Sequence, residues 1–465
     1  MVSLSRSDAA PLNNRMRVWF TCAMAALAGL LFGLDIGVIA GALPFIAKDF
    51  QVNDHVQEWI VSSMMVGASL GALGAGWLSF YLGRKYSLML AAALFVAGAL
   101  LCALAPDPAF LIGARLVLGV AVGVATFTAP LYLSEVAPGD IRGAMVSAYQ
   151  LMITIGILVA FLSDTALSTS GAWRWMLGVV AIPAGLFLIG VFWLPRSPRW
   201  LMMKGRDAQA RAVLLTLRPD VQTVDQEMKD ITRQLQIKDE GFSLLRRSKD
   251  FRRSVGMGIA LQVVQQLTGI NVVMYYAPRI FGIAGYSGHT AQLWGTVIVG
   301  AVNVLATFIA VGFVDRWGRR PILIAGFSVM TIGMGALACL LQLGIKTPGE
   351  QIVAVAMLLI FIAGFAMSAG PVIWILCSEI QPIKGRDFGI AVSTFTNWIA
   401  NTVVGATFLT LLNTLGHAPT FWLYAALNAL FILFTVFYVP ETSGVPLESI
   451  EQNLMSGKRL RQIGR

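Results

Sequence analysis

The chain has 465 residues, 57% hydrophobic and only 12% charged, with a formal net charge of +10. A soluble domain is nearer a quarter charged, so this composition excludes an ordinary soluble enzyme or binding module and places the chain in a bilayer. The basic surplus needs no polyanion and no nucleic-acid partner. Between Arg196 and Arg253, 14 Lys/Arg stand against 8 Asp/Glu, and the other basic residues gather at turns around Arg84, Arg142, Arg319 and Arg386 and in the tail. The turns between them carry few positive charges, which is the positive-inside pattern with both termini cytoplasmic.

Taken in chain order, a polar N-terminus (1–17) precedes twelve apolar stretches. They run approximately 18–45, 59–82, 86–105, 109–134, 144–163, 175–195, 254–278, 291–314, 321–345, 351–378, 388–416 and 419–439, each long enough to cross a membrane. In lipid each must satisfy its own backbone hydrogen bonds, so the expected fold is an all-α membrane protein of twelve helices. The first stretch is too long for a signal-peptide core and is expected to be retained. Two six-helix bundles (18–195 and 254–440) flank a charged, amphipathic segment (196–253), expected to form a few short cytoplasmic helices, and a short basic tail (441–465) follows. The Gly-rich run 67–76 suits close helix contact. The GxxxxGK[ST] loop of an ATP-driven pump is absent. Cys22, Cys102, Cys339 and Cys377 lie in apolar spans and read as small buried residues, not metal ligands or disulfides.

The two bundles repeat each other. Ser134-Glu135 is followed by Pro138 and Arg142, and Ser378-Glu379 by Pro382 and Arg386, at identical spacing. Gly83-Arg84-Lys85 after span 2 returns as Gly318-Arg319-Arg320 after span 8. Span 6 ends Leu194-Pro195-Arg196-Ser197 and span 12 ends Val439-Pro440-Glu441-Thr442. Three charged motifs in register mean duplication, the architecture on which many transporters alternate access to a central site.

Asp35 is the only charge in the 28 residues from Val18 to Phe45. A carboxylate at that depth costs roughly 2.5–3.5 kcal/mol on insertion scales, and a chain that keeps one usually uses it to bind a proton or ion. With the N-terminus inside, Asp35 and Arg115, the only charge of span 4, fall at similar depth in the outer half of the bilayer. A buried acid and base at one depth are expected to pair. The alternative is a permanent structural ion pair.

The motifs Arg142-Gly143, Pro195-Arg196-Ser197-Pro198-Arg199-Trp200, Gln265-Gln266-Leu267-Thr268-Gly269-Ile270-Asn271, Asp315-Arg316-Trp317-Gly318-Arg319-Arg320 and Pro440-Glu441-Thr442 cover nearly the whole chain. They resemble the sugar porter family of the major facilitator superfamily. The stretches 31–45 and 367–371 are similar to its galactose- and arabinose-transporting bacterial members. The first loop motif has Phe80 where the family often has an acid, so that half of the gate is expected to be held differently.

The resemblance implies a proton-coupled sugar symporter of the bacterial inner membrane, monomeric, with no cofactor. Its co-substrates are a proton and a monosaccharide, galactose first, then glucose or arabinose. It implies that Asp35 takes the proton, that Arg115 is its neighbour, and that Gln150 on span 5 is a sugar ligand. One charge crossing 100 mV is worth about 2.3 kcal/mol, enough for about fifty-fold accumulation. In the family, Glu135, Arg142, Glu379, Arg386, Arg84 and Arg319 form an inner network that closes when the outside is open, with partners expected to be split between the two bundles.

A sugar is neutral, dense in hydroxyls and apolar on its C–H faces, so amides and aromatic rings suit it. Span 7 carries Gln265, Gln266, Asn271, Tyr275 and Tyr276; Asn303 is central in span 8; Asn397 and Trp398 are near the middle of span 11; Trp374 is in span 10. A lone amide such as Asn303 also serves as helix glue. Asn397 stands where xylose-transporting relatives have glutamine. A passive uniporter and a sugar sensor are the other readings, the sensor disfavoured by the short tail. An enzyme is not expected, because the three histidines lie in loops and no nucleophile–base set stands out.

Overall fold

The structure is a computed structural model that describes residues 12–138, 141–236 and 241–464, without the side chains of 12–15, 142, 143, 146 and 311–315. Its described residues form helices and no strands. Among the described residues twelve helices are long and apolar enough to cross a membrane: Met16–Phe50, Asp54–Tyr81, Arg84–Ala103, Pro108–Val136, Ser147–Ser170, Trp173–Trp193, Lys249–Ile283, His289–Ala310, Arg319–Leu343, Pro348–Glu379, Ile383–Leu415 and His417–Tyr438. They are spans 1 to 12 below.

The duplication read from the motifs is visible in the packing. Span 1 lies along span 5, span 2 along span 4, and span 3 along span 6; in the last six, span 7 lies along span 11, span 8 along span 10, and span 9 along span 12. Across the seam between the two sets, span 2 packs on span 11 and span 5 on span 8. Small residues permit the tight pairs: a Cβ on Gly33 would overlap the carbonyl oxygen of Ile153, and one on Gly119 the carbonyl oxygen of Met64.

Spans 7 and 10 are broken near their middles. Span 7 is the helix Lys249–Leu267 followed by Ile270–Ile283, with Gly269 between them at φ +90°, a conformation that favours glycine. Span 10 is Pro348–Met367 and Ala369–Glu379, broken at Ser368. Such breaks survive at membrane depth only where the freed groups find partners. Here Asn428 donates to the Thr268 carbonyl (3.1 Å), and the Ser368 hydroxyl donates to the Gly364 carbonyl (2.5 Å).

Between spans 6 and 7 lie the short helices Pro198–Met203, Asp207–Leu217, Val221–Leu235 and Gly241–Arg247. Asp220 caps the third, and the Thr223 N–H on its carboxyl (2.7 Å) holds that carboxyl below the usual range. Arg218 binds Glu227 and donates to the carbonyl of Val136 (3.0 Å), which ties this segment to the end of span 4. Cys22, Cys102 and Cys377 are buried as expected, but Cys339 is exposed on the flank of span 9.

Candidate functional site

The end of the bundle that carries the Arg84 and Arg319 loops is the basic end, and the opposite end is the far end. Asp35 and Arg115 meet between them. Both side chains are fully buried, with Arg115 Nη1 3.6 Å from Asp35 Oδ1. Arg115 Nε donates to the carbonyl of Ile60 on span 2 (2.7 Å), yet neither terminal guanidinium nitrogen and neither Asp35 oxygen has a hydrogen-bond partner among the described residues. Charge is balanced at this site while hydrogen bonding is left open. That separates it from a tight bidentate pair, whose members are costly to part.

The amides of spans 7 and 11 converge at the break in span 7. Asn397 Nδ2 donates to Gln262 Oε1 (2.6 Å) and to Gln265 Oε1 (2.8 Å). Gln265 Nε2 in turn donates to the carbonyls of Ala369 (2.9 Å) and Gly370 (3.2 Å), just past the break in span 10. Asn271 donates to Gln266 Oε1 (2.5 Å) across the break in span 7. Asn401 donates to the hydroxyl of Tyr275 (3.1 Å), and the Tyr276 hydroxyl donates to the Gly405 carbonyl (2.8 Å). Trp398 is buried and meets Phe32 of span 1 edge-on, ring centroids 5.4 Å apart, across the seam. These neutral donors and acceptors satisfy one another, and a polyhydroxyl ligand can replace such bonds one for one.

Not every expected residue joins this cluster. Asn303 is buried, Gln150 half-buried and Trp374 37% exposed, and among the described residues no hydrogen bond ties any of them to it. Gln262 and Asn401 belong to the polar set and were missed. Helical spacing carried the signal, since Gln262 is three residues before Gln265 and Asn401 four after Asn397, each on its partner's face.

At the basic end the two copies of the motif make the same arrangement. Glu135 accepts from Arg84 Nε (2.8 Å), Arg84 Nη2 (2.7 Å) and the Ser197 hydroxyl (2.5 Å). Glu379 accepts from Arg319 Nη2 (3.0 Å) and the Thr442 hydroxyl (2.5 Å). Gly83 (φ +87°) and Gly318 (φ +84°) open the following spans in the same backbone conformation. With the far end shut, both of these pairs stay within one set of six spans. Arg386 is not on Glu379; its Nη2 donates to the carbonyl of Gln381 (3.5 Å). The side chains of Arg142 and Asp315 lie outside the described residues. Where Phe80 replaces the family's acid, Lys204 Nζ sits 4.0 Å from its ring centroid, and the Trp200 indole donates to its carbonyl (2.8 Å).

Hydrogen bonds across the seam gather at the far end. Glu58, 1% exposed, accepts from the Thr410 N–H and the Thr410 hydroxyl, both at 2.7 Å. Asp54 accepts from Asn413 (2.9 Å) and Arg279 (3.4 Å), and Phe45 faces His289 with ring centroids 5.3 Å apart. Spans 2 and 11, and the outer turns of spans 1, 7 and 8, are thus joined, so the far end is shut. None of these residues was expected from sequence.

The family described as "Sugar (and other) transporter" matches residues 21–454. The chain is 64% identical over 452 residues to the galactose-proton symporter of Escherichia coli strain K12, covering 97% of each protein. It is 55% identical over 455 residues to the arabinose-proton symporter of the same strain, covering 97% of this chain and 96% of that one. Among solved structures, the inward-open conformation of the xylose transporter XylE from E. coli superposes with a TM-score of 0.81 at 31% identity, over 94% of this chain and all of that one. The same transporter in a partially occluded inward-open conformation gives 0.80. The duplicated motifs, the twelve spans and these likenesses agree: the chain belongs to the sugar porter family of the major facilitator superfamily, and it is a transporter, not an enzyme.

Proposed function

We propose that the chain imports a monosaccharide together with a proton across the bacterial inner membrane. Spans 1–6 and 7–12 act as two bodies that alternately open the far end and the basic end. The positive-inside pattern puts the basic end and both termini in the cytoplasm. The relatives are galactose- and arabinose-proton symporters, and the reading for this chain is galactose first, with glucose and arabinose next.

The observation that carries proton coupling is the Asp35–Arg115 pair, fully buried and 3.6 Å apart, with four polar atoms lacking hydrogen-bond partners among the described residues. A separation of the pair during the cycle changes Asp35's hold on a proton, and both groups are placed for that at little cost in bonds. Gln265, Gln266, Asn271 and Asn397 are the sugar's central ligands, with Gln262 beside them. Tyr276, Trp398, Gln150, Asn303 and Trp374 line its path, closing on the sugar as the two bodies rock. Arg84, Glu135, Arg142, Arg319, Glu379 and Arg386 brace the cytoplasmic gate. The chain works as a monomer in lipid.

The test is to add sugar to de-energised cells that express the protein. The medium should turn alkaline for galactose and stay unchanged for a sugar that is not taken up. No pH change for a sugar that is transported favours the passive uniporter.

A further inference from the structure

Span 5 carries a fully buried acid, Asp164, that has no role in the proposed cycle. Asp164 has no exposed surface, and neither carboxyl oxygen has a hydrogen-bond partner among the described residues. It fills a notch left by Gly41 of span 1, where a Cβ would overlap its carboxyl. One turn earlier Ala160 lies against Gly37 of span 1; three residues earlier Phe161 lies against Gly300 of span 8. Residues three and four apart share a helix face, so Asp164 stands where span 5 turns from span 1 toward span 8, on the seam between the two sets of six spans. The Phe45–His289 contact closes that seam at the far end.

Among the described residues no charged partner balances it. On span 1, Asp35 points to Arg115 of span 4, and it precedes Gly41 by six residues, about 9 Å along the helix. Asp49 is held by Trp173 and Arg174 of span 6, and Lys48 lies beside it on the last turn of span 1. Span 8 offers His289, whose ring is against Phe45. None of these forms an ion pair with Asp164 among the described residues.

We infer that Asp164 is a second proton-binding carboxyl, one that takes a proton from the far-end solution when spans 5 and 8 part there and holds it while they are shut. An ionised acid with no partner opposes burial, whereas the neutral acid does not. Shutting the far end is therefore linked to proton uptake at Asp164, and reopening returns that proton to the side it came from. This rests on the reading that the two bodies alternate. It differs from the role of Asp35 in that no net proton crosses by way of Asp164.

The test uses the full-length chain in lipid vesicles and follows labelled-sugar counterflow while the far-side pH is raised at fixed inner pH. For each proton that closure requires, exchange falls about tenfold per pH unit beyond the midpoint. Asp164→Asn should remove one such tenfold factor per unit while keeping the wild-type number of protons carried per sugar. An unchanged slope in Asp164→Asn overturns the inference. If that variant does not insert, Gly41→Ala carries the test: a methyl driven into the carboxyl should move the midpoint, and an unmoved midpoint is contradictory. Failure of the symport reading is separate, because it shows as no sugar-driven proton uptake in the wild-type protein.

Discussion

Glu58 of span 2 receives both the backbone N–H and the hydroxyl of Thr410 of span 11, each at 2.7 Å. It is a buried carboxylate bridging the two sets of spans at the end away from the basic loops. Hydrogen bonds to charged groups are worth about 1.5–3 kcal/mol each. Thr410→Val deletes the hydroxyl donor, and Glu58→Gln exchanges the charge for an amide. Either change should shift the balance toward far-end opening by about tenfold or more. Hydrogen exchange over residues 54–63 and 405–414 should speed up accordingly, and unchanged exchange would mean the contact does not latch the seam.

The basic-end pairs make a different forecast, because each is internal to its own set of spans. Glu135 is almost fully buried against Arg84, and removing one member of such a pair costs about 3–5 kcal/mol. A double-mutant cycle on Arg84 and Glu135 in thermal unfolding should show coupling of about 1–3 kcal/mol, and so should Arg319 with Glu379. The cross cycle of Arg84 with Glu379 should be close to additive. Strong coupling there would restore a network spanning the two bodies.

Asn397 is the hub of the amide cluster, donating to Gln262 and Gln265 together. Asn397→Ala removes that hub and leaves the Gln262 and Gln265 amide oxygens without the donor they share. Gln265→Ala removes the link to the broken end of span 10. Each should weaken sugar binding by about 10- to 100-fold, the loss of one to two hydrogen bonds at a buried site. Direct binding of galactose to the purified protein checks this, and wild-type affinity in both variants would remove the cluster from the sugar site.

Much of this was legible in the sequence. Twelve spans, the repeat and the Asp35–Arg115 meeting follow from apolar length, motif spacing and the cost of a lone charge in lipid, and these are strong constraints. The far-end contacts were not legible for a definite reason. Glu58 sits one residue before the apolar stretch 59–82, and Asp164 one residue after 144–163, so both read as loop charges. The helices run past their apolar windows, from Asp54 and to Leu167, and pack those acids inside. Partner choice was hidden as well. Arg386 is seven residues from Glu379 and Arg319 sixty, yet it is Arg319 that binds it, while Arg386 turns to the Gln381 carbonyl. Among the described residues Gln150, Asn303 and Trp374 make no hydrogen bond with the amide cluster, and spacing along separate helices says nothing about how those helices are brought together.

Sugar accumulation by Asp35→Asn at a fixed proton gradient tests the central claim most directly, read beside counterflow exchange in the same cells. Wild type should concentrate sugar, up to about fifty-fold per 100 mV for one proton. The variant should equalise sugar across the membrane and concentrate none, while labelled sugar still exchanges. A variant that concentrates sugar as the wild type does would show that Asp35 is not the coupling group.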